Sequence, residues 1–166
     1  MNLLLRLLWL LLTARRRTPT LVLGPCDSAF RVLPNDLDVL LHMNNGRYFS
    51  VMDLARVDLM VRSGLWPQLR SRGWYPVVVR ETMEFRRSLQ LFDRYTVRTT
   101  VIAWDDRHIL LAQVFFRGEV EMASAVVKAR FLKKSGGSVA TAELLALAGI
   151  THASPALPES VQAWWR

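Results

Sequence analysis

Residues 38–56 read DVLLHMNNGRYFSVMDLAR and contain the change from turn to helix around which the chain is organised. The first half is rich in turn formers and contains Asn-Asn-Gly at 44–46. Apolar residues then recur at spacings of four, three and four: Tyr48, Met52, Ala55 and Leu59. This spacing predicts a helix, and other apolar residues widen the face beyond one stripe. We therefore expect the helix to be largely enclosed by the rest of the protein.

Strand character dominates after this helix. Apolar residues alternate with polar ones in four segments that turn formers separate: residues 77–88, 94–104, 108–117 and 121–133. A short strand is also predicted before the helix, at 28–33. An antiparallel sheet has to cover its apolar face, and the single buried helix is the natural cover. The predicted class is α+β, with an antiparallel sheet wrapped around one long central helix.

Changes in composition divide the chain into four parts. We expect an apolar and basic N-terminal helix at 1–17, a connector at 18–27, one domain at 28–150 and a C-terminal tail at 151–166. The length of 166 residues, with 51% apolar and 22% charged residues, is typical of a single globular domain with a core of its own.

The N-terminal segment combines an apolar run with arginines. Residues 3–12 read LLLRLLWLLL, and three arginines follow at 15–17. A ten-residue helix spans about 15 Å, roughly half the hydrocarbon thickness of a bilayer, so it is too short to cross one. A secretory signal is disfavoured because most of the charge follows the apolar run and no Ala-x-Ala cleavage site is present. The helix either makes peripheral contact with a membrane, docks onto its own domain, or forms an uncleaved anchor.

Charge and cysteine content narrow the partners and the compartment. The net charge of +8 favours anionic partners, but no recognised nucleic-acid motif accompanies it, so we expect no nucleic acid. The single cysteine, Cys26, excludes an internal disulfide framework. It fits a reducing compartment, so we expect a cytoplasmic protein that can associate with a membrane through residues 1–17. One cysteine and three dispersed histidines predict no metal site.

The segment 38–48 resembles the Asp-x-x-Gly-His-x-Asn-Asn-x-x-Tyr signature of hotdog-fold acyl-CoA thioesterases of the 4-hydroxybenzoyl-CoA thioesterase type. The matching positions are Asp38, His42, Asn44, Asn45 and Tyr48. The phrase around them also resembles the thioesterase-superfamily-member subgroup. The resemblance covers roughly residues 28–134.

The resemblance implies a fold, an activity and an assembly. The fold is the hotdog fold, and the reaction is hydrolysis of an acyl thioester, carried on coenzyme A or on acyl carrier protein, to the free acid. The assembly is a homodimer, or a tetramer built from dimers. No cofactor is implied beyond the coenzyme A of the substrate.

The resemblance also assigns roles to individual residues. It implies two sets: catalytic Asp38, His42, Asn45 and Asp53, and substrate-binding Asn44, Gly46 and Tyr48. Thioester hydrolysis needs a carboxylate to activate water or attack the carbonyl, and hydrogen-bond donors where the oxyanion develops. In the family, an N–H at the Asn45 position polarises the carbonyl. Related enzymes use a helix carboxylate at the Asp53 position, and Asp38 is favoured here.

Each of these residues has a structural alternative. Asp38 can be a turn residue, His42 can order the loop, and Asn44 or Asn45 can cap the helix. Asp53 can form an ion pair with Arg56, and Tyr48 can be a core residue with a polar tip.

Leu41 departs from the family pattern, which commonly has glycine at this position. Glycine permits a positive φ or a close backbone approach, and leucine does neither easily. This departure and the apolar N-terminal segment motivate an alternative function, a non-catalytic, membrane-associated protein that binds acyl thioesters.

Overall fold

One antiparallel sheet of five strands forms the body of the protein. The structure, a computed structural model, describes residues 3–14, 16–159 and 161–162. The strands are β1 (Cys26–Arg31), β2 (Trp74–Phe85), β3 (Arg94–Trp104), β4 (Ile109–Arg117) and β5 (Val120–Lys133), in the order β1-β3-β4-β5-β2. The helices are α1 (Leu3–Ala14), α2 (Asn45–Arg62), α3 (Leu65–Ser71) and α4 (Thr141–Leu147). The predicted α+β class is confirmed.

The sheet packs its inner face against α2. The four residues that predicted this helix are all buried: Tyr48, Met52, Ala55 and Leu59. They join one core cluster with inward-facing strand residues such as Val97, Phe115 and Val127. The predicted enclosure of the central helix is therefore confirmed. The helix begins at Asn45, shortly after Asp38 in the chain.

The boundaries of most elements follow the alternation in the sequence. β3 spans the predicted 94–104, whereas β1 begins at Cys26, inside the stretch assigned to the connector. α3 is an element that the sequence analysis does not predict, and it contains Pro67. Proline is tolerated in the first turn of a helix, where its missing N–H has no intrahelical partner to lose. Leu65 and Leu69 on this helix are buried.

The N-terminal helix α1 is docked onto the domain. Leu10 and Ala14 are buried, and the buried Arg6 forms an ion pair with Asp36. Beyond the helix, Arg17 Nη1 lies 3.1 Å from Asp58 Oδ2. The structure therefore shows docking of α1 onto its own domain, which is one of the three alternatives predicted for this segment. In the residues that the structure describes, no helix has both the length and the apolar character needed to cross a membrane.

Some predicted features lie outside the described residues. Of the predicted helix at 1–17, residues 1, 2 and 15 are not described, and of the tail at 151–166, residues 160 and 163–166 are not described.

Asp58 is a buried carboxylate on the apolar face of α2. Its Oδ2 accepts hydrogen bonds from Ser28 Oγ at 2.7 Å, Arg17 Nη1 at 3.1 Å and Arg62 Nη1 at 3.3 Å. These donors come from β1, from the segment after α1 and from the end of α2. Asp58 therefore joins three parts of the chain, a role that the sequence analysis did not assign.

Candidate active site

Asp38 organises a tight turn directly before α2. Its Oδ1 accepts hydrogen bonds from the N–H groups of Leu40 at 2.9 Å and His42 at 3.2 Å. Its own N–H donates to the carbonyl of His42 at 2.8 Å. Neither a hydrogen bond nor an ion pair joins Oδ2 to any residue within the described ranges. The turn role is therefore carried by one carboxylate oxygen, and the second remains available for chemistry.

Leu41 has the backbone conformation that favours glycine. Its φ is +61°, and its N–H donates to the carbonyl of Asp38 at 3.1 Å. The left-handed conformation costs a non-glycine residue roughly 1–2 kcal/mol. The turn thus keeps the backbone path expected of the family signature although the glycine is absent. Val39, Leu40 and Leu41 are exposed and form an apolar surface beside Asp38.

The N-terminus of α2 presents a backbone N–H at Asn45. Asn44 is the N-cap, and its Oδ1 accepts from Gly46 N–H at 2.9 Å. Arg47 N–H donates to the carbonyl of Asn44 at 2.8 Å. For the N–H of Asn45 the described part of the chain supplies no acceptor. The cap thus leaves the donor that the oxyanion role requires, at the positive end of the helix dipole.

His42 and Tyr48 fix the turn and the helix to the neighbouring loop. His42 pairs with Gln90 in an isolated bridge, and Met43 N–H donates to the carbonyl of Leu89 at 2.8 Å. Tyr48 is buried, and its hydroxyl accepts from Leu89 N–H at 3.2 Å. Burial raises the pKa of the Tyr48 hydroxyl. Tyr48 is therefore a core residue with a polar tip, which is the structural alternative given for it above. The catalytic role of His42 stays a prediction.

Asp53 lies on a different part of α2. It is eight residues beyond Asn45, which corresponds to about 12 Å along the helix axis. Its side chain is exposed and forms an ion pair with Arg56. Within one chain the structure therefore places the two candidate carboxylates at separate positions, Asp38 at the helix N-terminus and Asp53 in its third turn.

A buried polar network that the sequence analysis missed begins at Arg56. Arg56 Nη1 donates to Gln113 Oε1 at 2.6 Å. The amide of the fully buried Gln113 donates to the carbonyl of Met52 at 3.1 Å and to Thr99 Oγ1 at 3.0 Å. The network links the middle of α2 to β3 and β4 and fixes the position of the helix along the sheet. Its signal in the sequence is a polar residue at an inward-facing position of an alternating strand.

An apolar cavity of about 220 Å³ lies between the second half of α2 and the sheet. Val57 and Met60 line it from α2, Leu111 and Phe131 from the sheet, and Ala148 from the segment that ends α4. Asp53 and Arg56 are its charged lining residues. The described ranges hold no group of three or more His, Cys, Asp or Glu side chains placed for a metal ion.

Glu81 on β2 is a carboxylate near Arg56, which lines this cavity. Its Oε2 lies 3.7 Å from Arg56 Nη1, beyond hydrogen-bond distance. Burial raises the pKa of the Glu81 carboxyl, Arg56 opposes this, and Asp53 adds to it. The charged form is therefore less favourable in the folded protein than in the unfolded chain, and stability is lost as the pH rises through the raised pKa.

We expect Glu81→Gln to raise the free energy of unfolding at about pH 7 and to leave it nearly unchanged at about pH 3.5, where the parent carboxyl is protonated in both states. Urea unfolding at the two pH values measures this. Glu84→Gln, an exposed position on the same strand, is the control. A stability loss at about pH 7 would show that the attraction to Arg56 outweighs the burial of the charge.

Comparison with known proteins identifies the family to which this chain belongs. The thioesterase-like superfamily matches residues 32–165. The chain belongs to this superfamily. It is 40% identical over 99 residues to protein THEM6 of Xenopus laevis, an alignment that covers 60% of this chain and 48% of the relative. The chain thus aligns with about half the length of that relative.

Solved structures share the fold. The chain is similar to YbaW, a probable thioesterase from Escherichia coli, with a TM-score of 0.68 and 24% identity over 73% of this chain and 94% of that one. It is also similar to a variant of 4-hydroxybenzoyl-CoA thioesterase complexed with 4-hydroxybenzoyl-CoA, with a TM-score of 0.68 and 17% identity over 74% and 97% of the two chains. The predicted family and the hotdog fold are confirmed.

Proposed function

We propose that this protein hydrolyses acyl-CoA thioesters to the free acid and coenzyme A. The observation that carries the proposal is the position of Asp38 in the turn that comes directly before the N-terminus of α2. One oxygen of Asp38 holds the turn and the other has no described partner, and the turn leads directly into a helix whose Asn45 N–H is also unpaired. A carboxylate and an oxyanion donor are the two groups that this reaction needs.

The proposed reaction uses these groups in turn. The thioester carbonyl oxygen accepts a hydrogen bond from Asn45 N–H, and the helix dipole stabilises the negative charge that develops there. Asp38 takes a proton from water, whose oxygen attacks the carbonyl carbon. The carbon–sulfur bond then breaks, and Asp38 returns the proton to the departing sulfur, which gives the thiol of coenzyme A. His42 keeps the turn closed through its backbone.

The acyl chain has a candidate binding site in the cavity beside α2. A carbonyl held at Asn45 lies about 12 Å along the helix from Asp53, which lines the cavity. A short acyl group ends before the cavity, whereas a longer straight chain reaches its apolar lining. The proposed substrates are therefore acyl-CoAs with chains long enough to pass Asp53.

A panel of straight-chain acyl-CoAs, assayed by release of the free thiol, tests this proposal. Turnover that rises with chain length is expected. If no acyl-CoA is hydrolysed but a long-chain acyl-CoA binds, the non-catalytic acyl-thioester-binding protein becomes the correct function. If no acyl-CoA binds or reacts, both are wrong.

Narrowing the cavity is expected to shorten the preferred chain. Ala148→Leu adds three carbon atoms at the cavity wall. Each methylene that no longer fits costs about 0.8 kcal/mol, or about fourfold in kcat/KM. The longest substrates should lose most and the shortest should be unaffected. Ala142→Leu, an exposed position on α4, is the matched control, and an equal loss at all chain lengths would place the acyl chain elsewhere.

The sheet edge at β2 is the proposed dimer interface. β2 pairs with β5 on one side, and its exposed residues include Val78, Val79 and Phe85. An exposed apolar edge is a liability that pairing with a second copy removes. We propose a homodimer in which the two sheets continue into one another across β2.

Val79→Lys is expected to convert the dimer to a monomer. Val79 is the unpaired residue where the register between β2 and β5 shifts, so its side chain is exposed without a partner on β5. Light scattering after size-exclusion chromatography measures the mass. Leu21→Lys adds the same charge at another exposed apolar position and should leave the dimer intact. A parent protein that is monomeric at micromolar concentration would rule out this assembly.

A further inference from the structure

The outward half of α1 is an apolar face without a partner in the described chain. Arg6, Leu10 and Ala14 form the docked half. The opposite half carries five exposed apolar side chains and no polar one: Leu4, Leu5, Leu8, Trp9 and Leu12. Their spacings of one, four, five and eight residues from Leu4 place them on one side of the helix. Soluble monomers rarely expose a contiguous apolar patch of this kind unless it binds something.

A basic cleft lies directly beside this face. It is open to solvent between α1 and the adjoining ends of β1 and β3, and Trp9 lines it as well as belonging to the apolar face. Four arginines line the cleft and no carboxylate does: Arg6, Arg17, Arg31 and Arg94. Arg6 and Arg17 are already paired with Asp36 and Asp58. The exposed Arg31 and Arg94 form no ion pair within the described residues.

Arg31 and Arg94 stand directly opposite each other. They are paired residues in the antiparallel ladder between β1 and β3, so both side chains lie on the same face of the sheet. Like charges at directly opposite positions destabilise a sheet. An anion between them removes this repulsion, and guanidinium groups are well suited to bind phosphate oxygens. This unfavourable pair therefore points to an anionic ligand.

We propose that α1 and the basic cleft together form a binding surface for an anionic phospholipid bilayer. The apolar face of α1 enters the boundary between headgroups and acyl chains, and Arg31 and Arg94 bind the lipid phosphates. Trp9, which belongs to both parts, lies at the level where tryptophan is enriched in membranes. The exposed Arg16 after α1 and the net charge of +8 add attraction to an anionic leaflet.

The two halves of this surface favour a bilayer over other occupants. A free phosphate ion satisfies the arginines but leaves the apolar face exposed. A second copy of the chain covers the apolar face but brings its own charge of +8 toward the same arginines. A bilayer with anionic headgroups supplies an apolar interior next to a phosphate layer. The apolar face of α1 can contact the interior while the arginines of the adjoining cleft contact the phosphates.

Sedimentation of the full chain with vesicles tests this surface. Vesicles of phosphatidylcholine with and without phosphatidylserine are compared. The parent is expected to bind the anionic vesicles more tightly. Arg31→Gln with Arg94→Gln should weaken that binding about 10- to 30-fold, since each arginine near the surface contributes about three- to fivefold. Leu8→Gln with Leu12→Gln should weaken binding to both kinds of vesicle.

A charge-matched control separates the cleft from general attraction. Arg70→Gln with Arg107→Gln removes the same charge at exposed positions on α3 and in the β3–β4 turn, and should weaken binding by threefold or less. All six substitutions are at exposed positions, and far-UV circular dichroism checks that each variant is folded.

Three outcomes would overturn the proposal. The first is equal loss of binding in the Arg31/Arg94 variant and in the charge-matched control. The second is complete displacement of the parent from anionic vesicles by inorganic phosphate at constant ionic strength, which would make the cleft a site for a free anion. The third is an unchanged vesicle affinity of the Leu8/Leu12 variant together with a change in its mass in solution, which would make the face of α1 a protein interface.

Discussion

Asp38→Asn is expected to lower kcat for acyl-CoA hydrolysis about 10²- to 10⁴-fold while the fold and substrate binding are preserved. The asparagine keeps an Oδ1 that can accept from the N–H groups of Leu40 and His42, so the turn has the same hydrogen bonds. It has no second anionic oxygen to take a proton from water or to attack a carbonyl. The structure thus separates the turn role from the chemical role at one side chain.

The matched control for Asp38 is Asp53→Asn. Asp53 is exposed and paired with Arg56, and its replacement is expected to change kcat by less than about tenfold. Steady-state kinetics with the best acyl-CoA, together with unfolding curves for both variants, distinguish the two carboxylates. If Asp53→Asn loses turnover and Asp38→Asn retains it, the helix carboxylate performs the reaction and the assignment of Asp38 is wrong.

Asp58→Ala is expected to have the largest effect on stability, lowering the free energy of unfolding by about 3–5 kcal/mol. The substitution leaves the Arg17 and Arg62 guanidinium groups and the Ser28 hydroxyl without their shared acceptor. For a chain of this size the loss corresponds to a fall in Tm of roughly 6–20 °C. Thermal unfolding followed by circular dichroism measures it.

The control for Asp58 is a carboxylate in solvent. Asp106→Ala in the exposed β3–β4 turn removes the same charge and should change the free energy of unfolding by about 0.5 kcal/mol or less. A cost below about 1 kcal/mol for Asp58→Ala would mean that Arg17 and Arg62 find other acceptors or water. Asp58 would then be dispensable for holding β1, α2 and the segment after α1 together.

Local periodicity was sufficient to predict the main elements. The central helix was predicted from the spacing of Tyr48, Met52, Ala55 and Leu59, and the span of β3 from the alternation of apolar and polar residues over 94–104. Both patterns arise because these elements bury one face against a single core. The short helix α3 was missed because a seven-residue segment with a proline carries too little periodicity to be distinguished from a linker.

The buried polar residues could not be predicted from local sequence. Asp36, Asp58 and Gln113 resemble ordinary turn, helix and strand residues, and each has at least one partner 30 or more positions away in the chain. An acid on an apolar helix face is a signal that something must pair with it, but the pattern does not identify the partner.

The motif points to the candidate site but not to its local geometry. The signature identified the Asp38 turn and the Asn45 end of α2 as neighbours in sequence, and in the structure α2 begins directly after that turn. It did not show that Oδ1 of Asp38 is occupied by two backbone N–H groups, or that Leu41 takes a left-handed conformation. Those features depend on the closed loop around residues 36–44, which sequence spacing does not define.

The ion pairs that dock α1 also set the order in which the chain can assemble during synthesis. Arg6 is 30 residues ahead of Asp36, and Arg17 is 41 residues ahead of Asp58. At about 5–20 residues per second, the second of these acids is synthesised roughly 2–8 s after its partner. Until Asp36 is synthesised, α1 has neither of its acidic partners, and its docking side and its outward apolar face are both uncovered. A bilayer near the ribosome can therefore meet this helix before the domain that later holds it exists.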